Sequence, residues 1–270
     1  MHEMLRSTLR LLALTLLLSA GVMNTSPEAG VVTVRFSEGL TRGFLVLRSG
    51  PGGTVLALGD LLQVARGTAI ESRMVFHFTD GSLYDETVVY SQHRVFSLSS
   101  YHLIQRGPSF PEELDVLVER AKGQYRVRTR RGGKDDVATG AIDLPPDVYN
   151  GMIVMIVKNL AKGASEIVHL LAFTPKPTLI ELELTPVGEQ AITAGGRSLK
   201  ATHYMLKPKL GAVRGAVATL IGKAPADLHV LIGGGDVPAF VTADGPLFAA
   251  GPSWRIETVS PQAPTFRPTP

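Results

Sequence analysis

The chain has no cysteine and only one tryptophan among its 270 residues. The first absence excludes disulfides, thiolate chemistry and cysteine metal ligation, so stability has to come from apolar burial. A chain of this length can bury enough surface to do that. Short catalytic signatures are missing too: there is no HExxH zinc helix, GxSxG nucleophile elbow, lysine-bearing phosphate loop or dinucleotide fingerprint. Gly233-Gly234-Gly235-Asp236 is rich in glycine, but lacks the lysine and following helix of a phosphate cradle and reads as a hairpin turn. Charge of one sign is scarce as well. With 27 Lys+Arg against 24 Asp+Glu the formal balance is +3, which gives no dedicated nucleic-acid surface. The one basic strip, Arg126, Arg128, Arg130, Arg131 and Lys134, reads as a solvated strand face around the Gly132-Gly133 turn.

What is present begins with an address. Arg6 and Arg10 precede the apolar run Leu11 to Leu18, and Ser19, Ala20 and Gly21 supply small residues for a peptidase. The run is shorter than the roughly 20 residues a membrane span needs. Residues 1–21 therefore read as a cleaved secretory signal, with no transmembrane segment after cleavage and a periplasmic or secreted product. Lipoprotein acylation is excluded by the absence of cysteine. Residues 22–42 read as a polar leader, 43–260 as a single domain, and 261–270, with four prolines, as a disordered tail.

Inside the domain the dominant pattern is strand-like. Arg73 to Thr79 alternates Met74, Phe76 and Phe78 against Arg73, Val75, His77 and Thr79, and Asp80-Gly81 supplies hairpin turn residues. Strands are expected at 43–48, 61–65, 82–90, 94–99, 101–106, 125–130 and 138–143, with a strand or helical turn at 109–118. Further strands follow at 166–174, 178–185, 197–207, 212–221, 229–232, 239–242 and 254–258. One long helix is expected over Leu144 to Gly163, LPPDVYNGMIVMIVKNLAKG. Pro145 and Pro146 suit a first turn, Asp143 or Asp147 a cap, and Lys158, Lys162 and Gly163 a C-terminus. Its apolar residues cover nearly the whole circumference, which demands burial on several sides. Gly151 and the β-branched residues of 153–157 argue the other way, toward a buried strand. The fold class is mainly β (α+β), an antiparallel sheet curled as a half-barrel around a central helix.

Two groups of residues could carry function. His77, Asp80, Asp85, Glu86, His93 and His102 lie within one meander, where neighbouring strands bring imidazoles and carboxylates together for acid/base or metal chemistry. Asp80 is also explained by its turn, and the adjacent Asp85 and Glu86 face opposite sides of a strand. Tyr149, Met152, Met155, Phe173, Met205, Phe240 and Trp254 could line an apolar cavity between helix and sheet, or simply fill the core. No metal and no cofactor are expected.

FTDGSLYDE at 78–86, QRGPSFP at 105–111, LPPDVYNGM at 144–152, TPKP at 174–177, GKAPADLHV at 222–230 and GPSWRIE at 251–257 resemble, as a set, phrases of a group of uncharacterised secreted bacterial proteins. That resemblance implies export and passes on no catalytic residues. More distantly, the layout is similar to envelope half-barrels of the lipoprotein-carrier type, which implies a cavity for acyl chains. The function expected is thus non-catalytic binding or carriage of an apolar or amphipathic, lipid-like ligand in the periplasm. The alternatives are a structural or partner-binding envelope protein, and a hydrolase using the His/Asp/Glu meander.

Overall fold

Apolar and polar residues alternate along the chain with a period of two, and in the computed structural model that period becomes strands with one face buried. The structure describes residues 30–174, 176–194, 197–209 and 226–259. The expected signal (1–21), the strand expected at 212–221 and the tail (261–270) lie outside the described residues.

The strands are β1 (Thr41–Arg48), β2 (Val55–Arg66), β3 (Ala69–Phe78), β4 (Leu83–Gln92), β5 (Phe96–Arg106), β6 (Glu113–Glu119), β7 (Gln124–Arg131) and β8 (Lys134–Ala141). After helix α1 (Ile153–Asn159) come β9 (Glu166–Thr174), β10 (Lys176–Ala194), β11 (Arg197–Lys209), β12 (Leu228–Gly233), β13 (Ala239–Gly245) and β14 (Trp254–Val259). All 14 form one sheet in the order β8-β7-β6-β5-β4-β3-β2-β1-β14-β13-β12-β11-β10-β9. Every pairing is antiparallel, and the first and last strands meet in mid-sheet, with Val46 opposite Glu257 and Leu47 opposite Ile256. The edges β8 and β9 do not pair with each other, so the sheet is a half-barrel rather than a closed one. Its curl is visible in side chains. Tyr101 of β5 stacks on Phe173 of the edge strand β9 at 5.9 Å between ring centroids, although these strands lie in opposite halves of the strand order.

Most expected strands are present, generally longer than the sequence implies. The two expected at 94–99 and 101–106 are one strand, β5, opposite a bulge at Val89/Tyr90 of β4. The segment 109–118 resolves as strand β6 after a bend rather than a helical turn. Gly59 of β2 leaves room for the Phe76 ring of β3, which lies 2.5 Å from where a Cβ would stand.

The expected long helix is the main correction. Only Ile153–Asn159 is α-helical, seven residues instead of Leu144 to Gly163. Gly151 takes the left-handed conformation (φ 69), which breaks any helix arriving from the proline side. Residues before it are extended against β9: His169 N–H donates to the Asp147 carbonyl and Tyr149 N–H to the His169 carbonyl, each at 3.0 Å. The Asn150 side chain continues this pairing, accepting from Leu171 N–H at 2.7 Å and donating to the Leu171 carbonyl at 2.9 Å. The segment therefore satisfies backbone groups that an open sheet edge would leave to solvent. Arg120 ties the approach to it, donating to the carbonyls of Leu98, Leu144 and Pro145 at 2.6, 2.7 and 2.9 Å.

The stretch ahead of β1 also reaches the core. Val32 is buried, and its N–H donates to the Tyr149 hydroxyl at 3.0 Å. The Asn159 carboxamide oxygen accepts from Arg35 N–H and Phe36 N–H, each at 2.7 Å. Inward residues of these elements other than β8 form one apolar core, from Leu45 and Leu47 through Phe76, Val88 and Leu98 to Ile156, Leu182 and Leu206.

Candidate functional site

On β4 the residues Tyr84, Glu86, Val88 and Tyr90 share the inner face, while Leu83, Asp85 and Thr87 point outward. This places one carboxylate inside the curl. Met74 of β3 and Leu103 of β5 stand opposite Glu86 in the register, and Leu61 of β2 stands opposite Met74. The Tyr101 hydroxyl donates to Glu86 Oε1 at 2.8 Å. From above, the turn at Gly151 closes on the same spot, where an added Cβ would lie 3.3 Å from Val88 Cβ and 3.4 Å from Glu86 Cδ.

Desolvation raises the Glu86 carboxyl above its ordinary range, and the hydrogen bonds from Tyr101 and Tyr84 oppose that shift without cancelling it. Burial, followed by the Glu86 charge, holds both tyrosines well above the usual phenol value. Leu61, Met74 and Glu86 form a row across β2, β3 and β4 that faces inward and is only half-buried. The arrangement is an apolar lining with a carboxyl and two phenols at one point.

The remaining members of the His/Asp/Glu group are elsewhere. His77 is exposed on the outer face, and His93 is exposed in the turn between β4 and β5. Asp85 is outward and held by Arg73 at 2.6 Å, and His102 lies 3.2 Å from Asp115 on the same outer face. Asp80 serves its turn, accepting from Ser82 N–H at 2.9 Å and the Ser109 hydroxyl at 2.7 Å. No hydrogen bond or ion pair joins any two of these residues among the described contacts.

The expected apolar lining also divides. Tyr149 and Met152 are fully buried and fill the core, with Met155 buried beside them on α1. Trp254 belongs to an aromatic cluster, 5.5 Å from Phe78 and 5.9 Å from Phe248 between centroids. Phe240 is half-buried against the core from β13. Met205 is on the outer face, because its neighbours Tyr204 and Leu206 take the inner positions. Phe173 meets the Glu86 group through Tyr101. Tyr84, Tyr101 and Asn150 were not legible as site residues; the alternation Tyr84, Glu86, Val88, Tyr90 was the available signal.

A second constellation occupies the outer face of the other half. His203 of β11 and His229 of β12 meet with Nε2 and Nδ1 3.0 Å apart, beside a cleft of about 270 Å³ lined also by Gln190, Thr242, Asp244 and Arg255. Burial first, then the neighbouring His229, lowers the His203 pKa. Arg255 grips Asp244 with two contacts of 2.7 Å each. The basic strip is largely neutralised: Arg126 faces Asp115, Arg128 and Arg130 face Asp135, and Arg131 faces Glu112. Among the described residues no three or more His, Asp or Glu side chains converge on a common cation position. No helix among them is long and apolar enough to cross a membrane, which says nothing of strands.

No family model matches the chain, and no curated protein matches it. Among solved structures the chain is similar to a crystal structure of a beta-barrel-like protein of the domain of unknown function DUF1849 from Brucella abortus, at TM-score 0.48 and 8% identity, covering 85% of this chain and 98% of that one.

Proposed function

We propose that the protein is an exported, non-catalytic binding protein that holds an apolar or amphipathic, lipid-like ligand against the inner face of its curled sheet. The observation that carries this reading is the row Leu61, Met74 and Glu86, inward-facing but half-buried, with a single carboxyl inside it. Apolar lining supplies the attraction for such a ligand, and a few convergent polar groups fix its orientation. Glu86, raised by desolvation and hydrogen-bonded by Tyr101, supplies the one polar point on this lining at which the headgroup of a ligand can be oriented. Export is supported by Arg6, Arg10 and the apolar run Leu11 to Leu18, and by the phrases resembling a secreted bacterial group. A periplasmic carrier of lipid fits both.

The test is native mass spectrometry of protein released gently from its own envelope fraction, followed by organic extraction. A stoichiometric lipid that disappears in Met74→Trp, with the circular dichroism spectrum retained, is the expected result. A lipid-free mass for the wild-type protein, together with no response to an acyl-chain fluorophore, overturns the reading. N-terminal sequencing of the same material is expected to begin just after Ala20 or Gly21.

A second reading has its own observation. Leu58 and Leu62 of β2 are 63% and 45% exposed on the outer face, more apolar surface than a solvated strand requires. This supports a partner-binding envelope role, for which Leu58→Ser/Leu62→Ser should abolish co-purification of the partner while leaving any extracted lipid unchanged.

A further inference from the structure

The outer cleft between β11 and β13 has no part in that binding reading, and its chemistry is different. Ala201, His203 and Met205 share the outward face of β11, with His203 opposite Leu231 and Met205 opposite His229 in the register. Leu231 and Ala201 are buried on this outer side without belonging to the main core. The extension of β10 beyond its Pro186/Gly188 bulge runs beside them, with Gln190 opposite Ala201 and Ile192 Cδ1 3.5 Å from where a Cβ on Gly233 would stand. Two imidazoles are thus held at the wall of a sheltered but open cleft by two hydrogen-bonded strands.

We propose that His203 and His229 form an open binding site for a late first-row divalent cation, Cu²⁺ or Zn²⁺. Their facing nitrogens are 3.0 Å apart. Two metal–nitrogen bonds of about 2.0–2.1 Å span that separation at an angle near a right angle, which suits the tetragonal geometry of Cu²⁺ and, after slight widening, tetrahedral Zn²⁺. Without a cation the pair is joined by one N–H donating to the other ring's lone pair. Metal binding moves that proton to the far nitrogen of the same ring, freeing both facing lone pairs with no net loss of a proton. Asp244, opposite His229 across β12 and β13, is held by Arg255 through two hydrogen bonds, so the positive guanidinium beside the site is neutralised and the imidazoles remain its ligands. Waters in the cleft of about 270 Å³ complete the coordination and give the ion its entry path.

The experiment is calorimetric titration of the tag-free protein with CuCl₂ and with ZnCl₂, comparing wild type with His203→Ala, His229→Ala and the exposed-histidine control His77→Ala/His93→Ala. Each single variant in the cleft is expected to lose roughly tenfold or more in affinity, and the control to keep it. The electron paramagnetic resonance spectrum of the Cu²⁺ complex should show two equatorial imidazole nitrogens in the wild type and one in each variant. Affinity unchanged in both cleft variants, or a wild-type spectrum without two imidazoles, overturns the proposal. Neither outcome depends on whether the interior binds lipid.

Discussion

Single residues in this protein do work that their neighbours in sequence do not reveal. Glu86 is the clearest case, since desolvation raises its carboxyl while the adjacent Asp85 is outward and paired with Arg73. The folded protein therefore holds a proton on Glu86 at pH values where the unfolded chain has released it. Stability from this group is complete below the ordinary value of 4.5 and is lost as pH rises through the folded value. Glu86→Gln keeps an oxygen to accept from Tyr101 and removes the titration. Urea unfolding from pH 4 to pH 8 should show the wild-type midpoint falling relative to that of the variant as pH rises. A constant offset between the two would contradict the assignment. Asn159 makes a second case, because its carboxamide serves Arg35 N–H, Phe36 N–H and the Met155 carbonyl. Asn159→Ala strands two backbone donors and should cost roughly 2–4 kcal/mol in the same assay.

At the scale of elements, strands were readable and the helix was not, for a physical reason. A strand with one buried face writes a period of two into its own residues, and Arg73 to Thr79 with Asp80-Gly81 shows both the period and its turn. The stretch 147–150 writes no such signal. Val148 and Tyr149 are buried, but the backbone of the stretch pairs with His169 and the Asn150 side chain with Leu171, both on β9, a pairing between distant segments that residue pattern cannot contain. Read locally, the apolar circumference of 148–160 looks like a helix buried on every side. Gly151 decides between the two readings experimentally. In a helix interior, Gly→Ala would stabilise by about 1 kcal/mol. At φ 69, with Val88 Cβ 3.3 Å from the added carbon, Gly151→Ala should destabilise by about 1–3 kcal/mol instead. Thermal and urea denaturation give the sign directly. The candidate site follows the same logic: strand alternation puts Asp85 and Glu86 on opposite faces, whereas Tyr101 and Phe173 became neighbours of Glu86 only through pairing and curl.

For the whole molecule, the decisive contact is the seam where β1 joins β14, from Phe44 opposite Val259 to Arg48 opposite Arg255. It merges a meander of eight strands and one of six into a single sheet, and nothing in either strand's own sequence announces the other as partner. If that seam is as continuous as its neighbours, both halves should unfold together. Native-state hydrogen exchange tests this strand by strand. Slow amides of β4 and β12, on opposite sides of the seam, should share one limiting opening free energy, while β8, unpaired along one edge, should exchange faster. Leu47→Ala sharpens the test, because Leu47 is fully buried at the seam opposite Ile256 and its truncation should cost roughly 2–5 kcal/mol. In one cooperative sheet that loss appears equally in the slowest amides of β4 and β12. If protection fell in β4 while β12 kept its wild-type value, the two meanders would be separate folding units, and the inner surface between them would be free to open around a ligand.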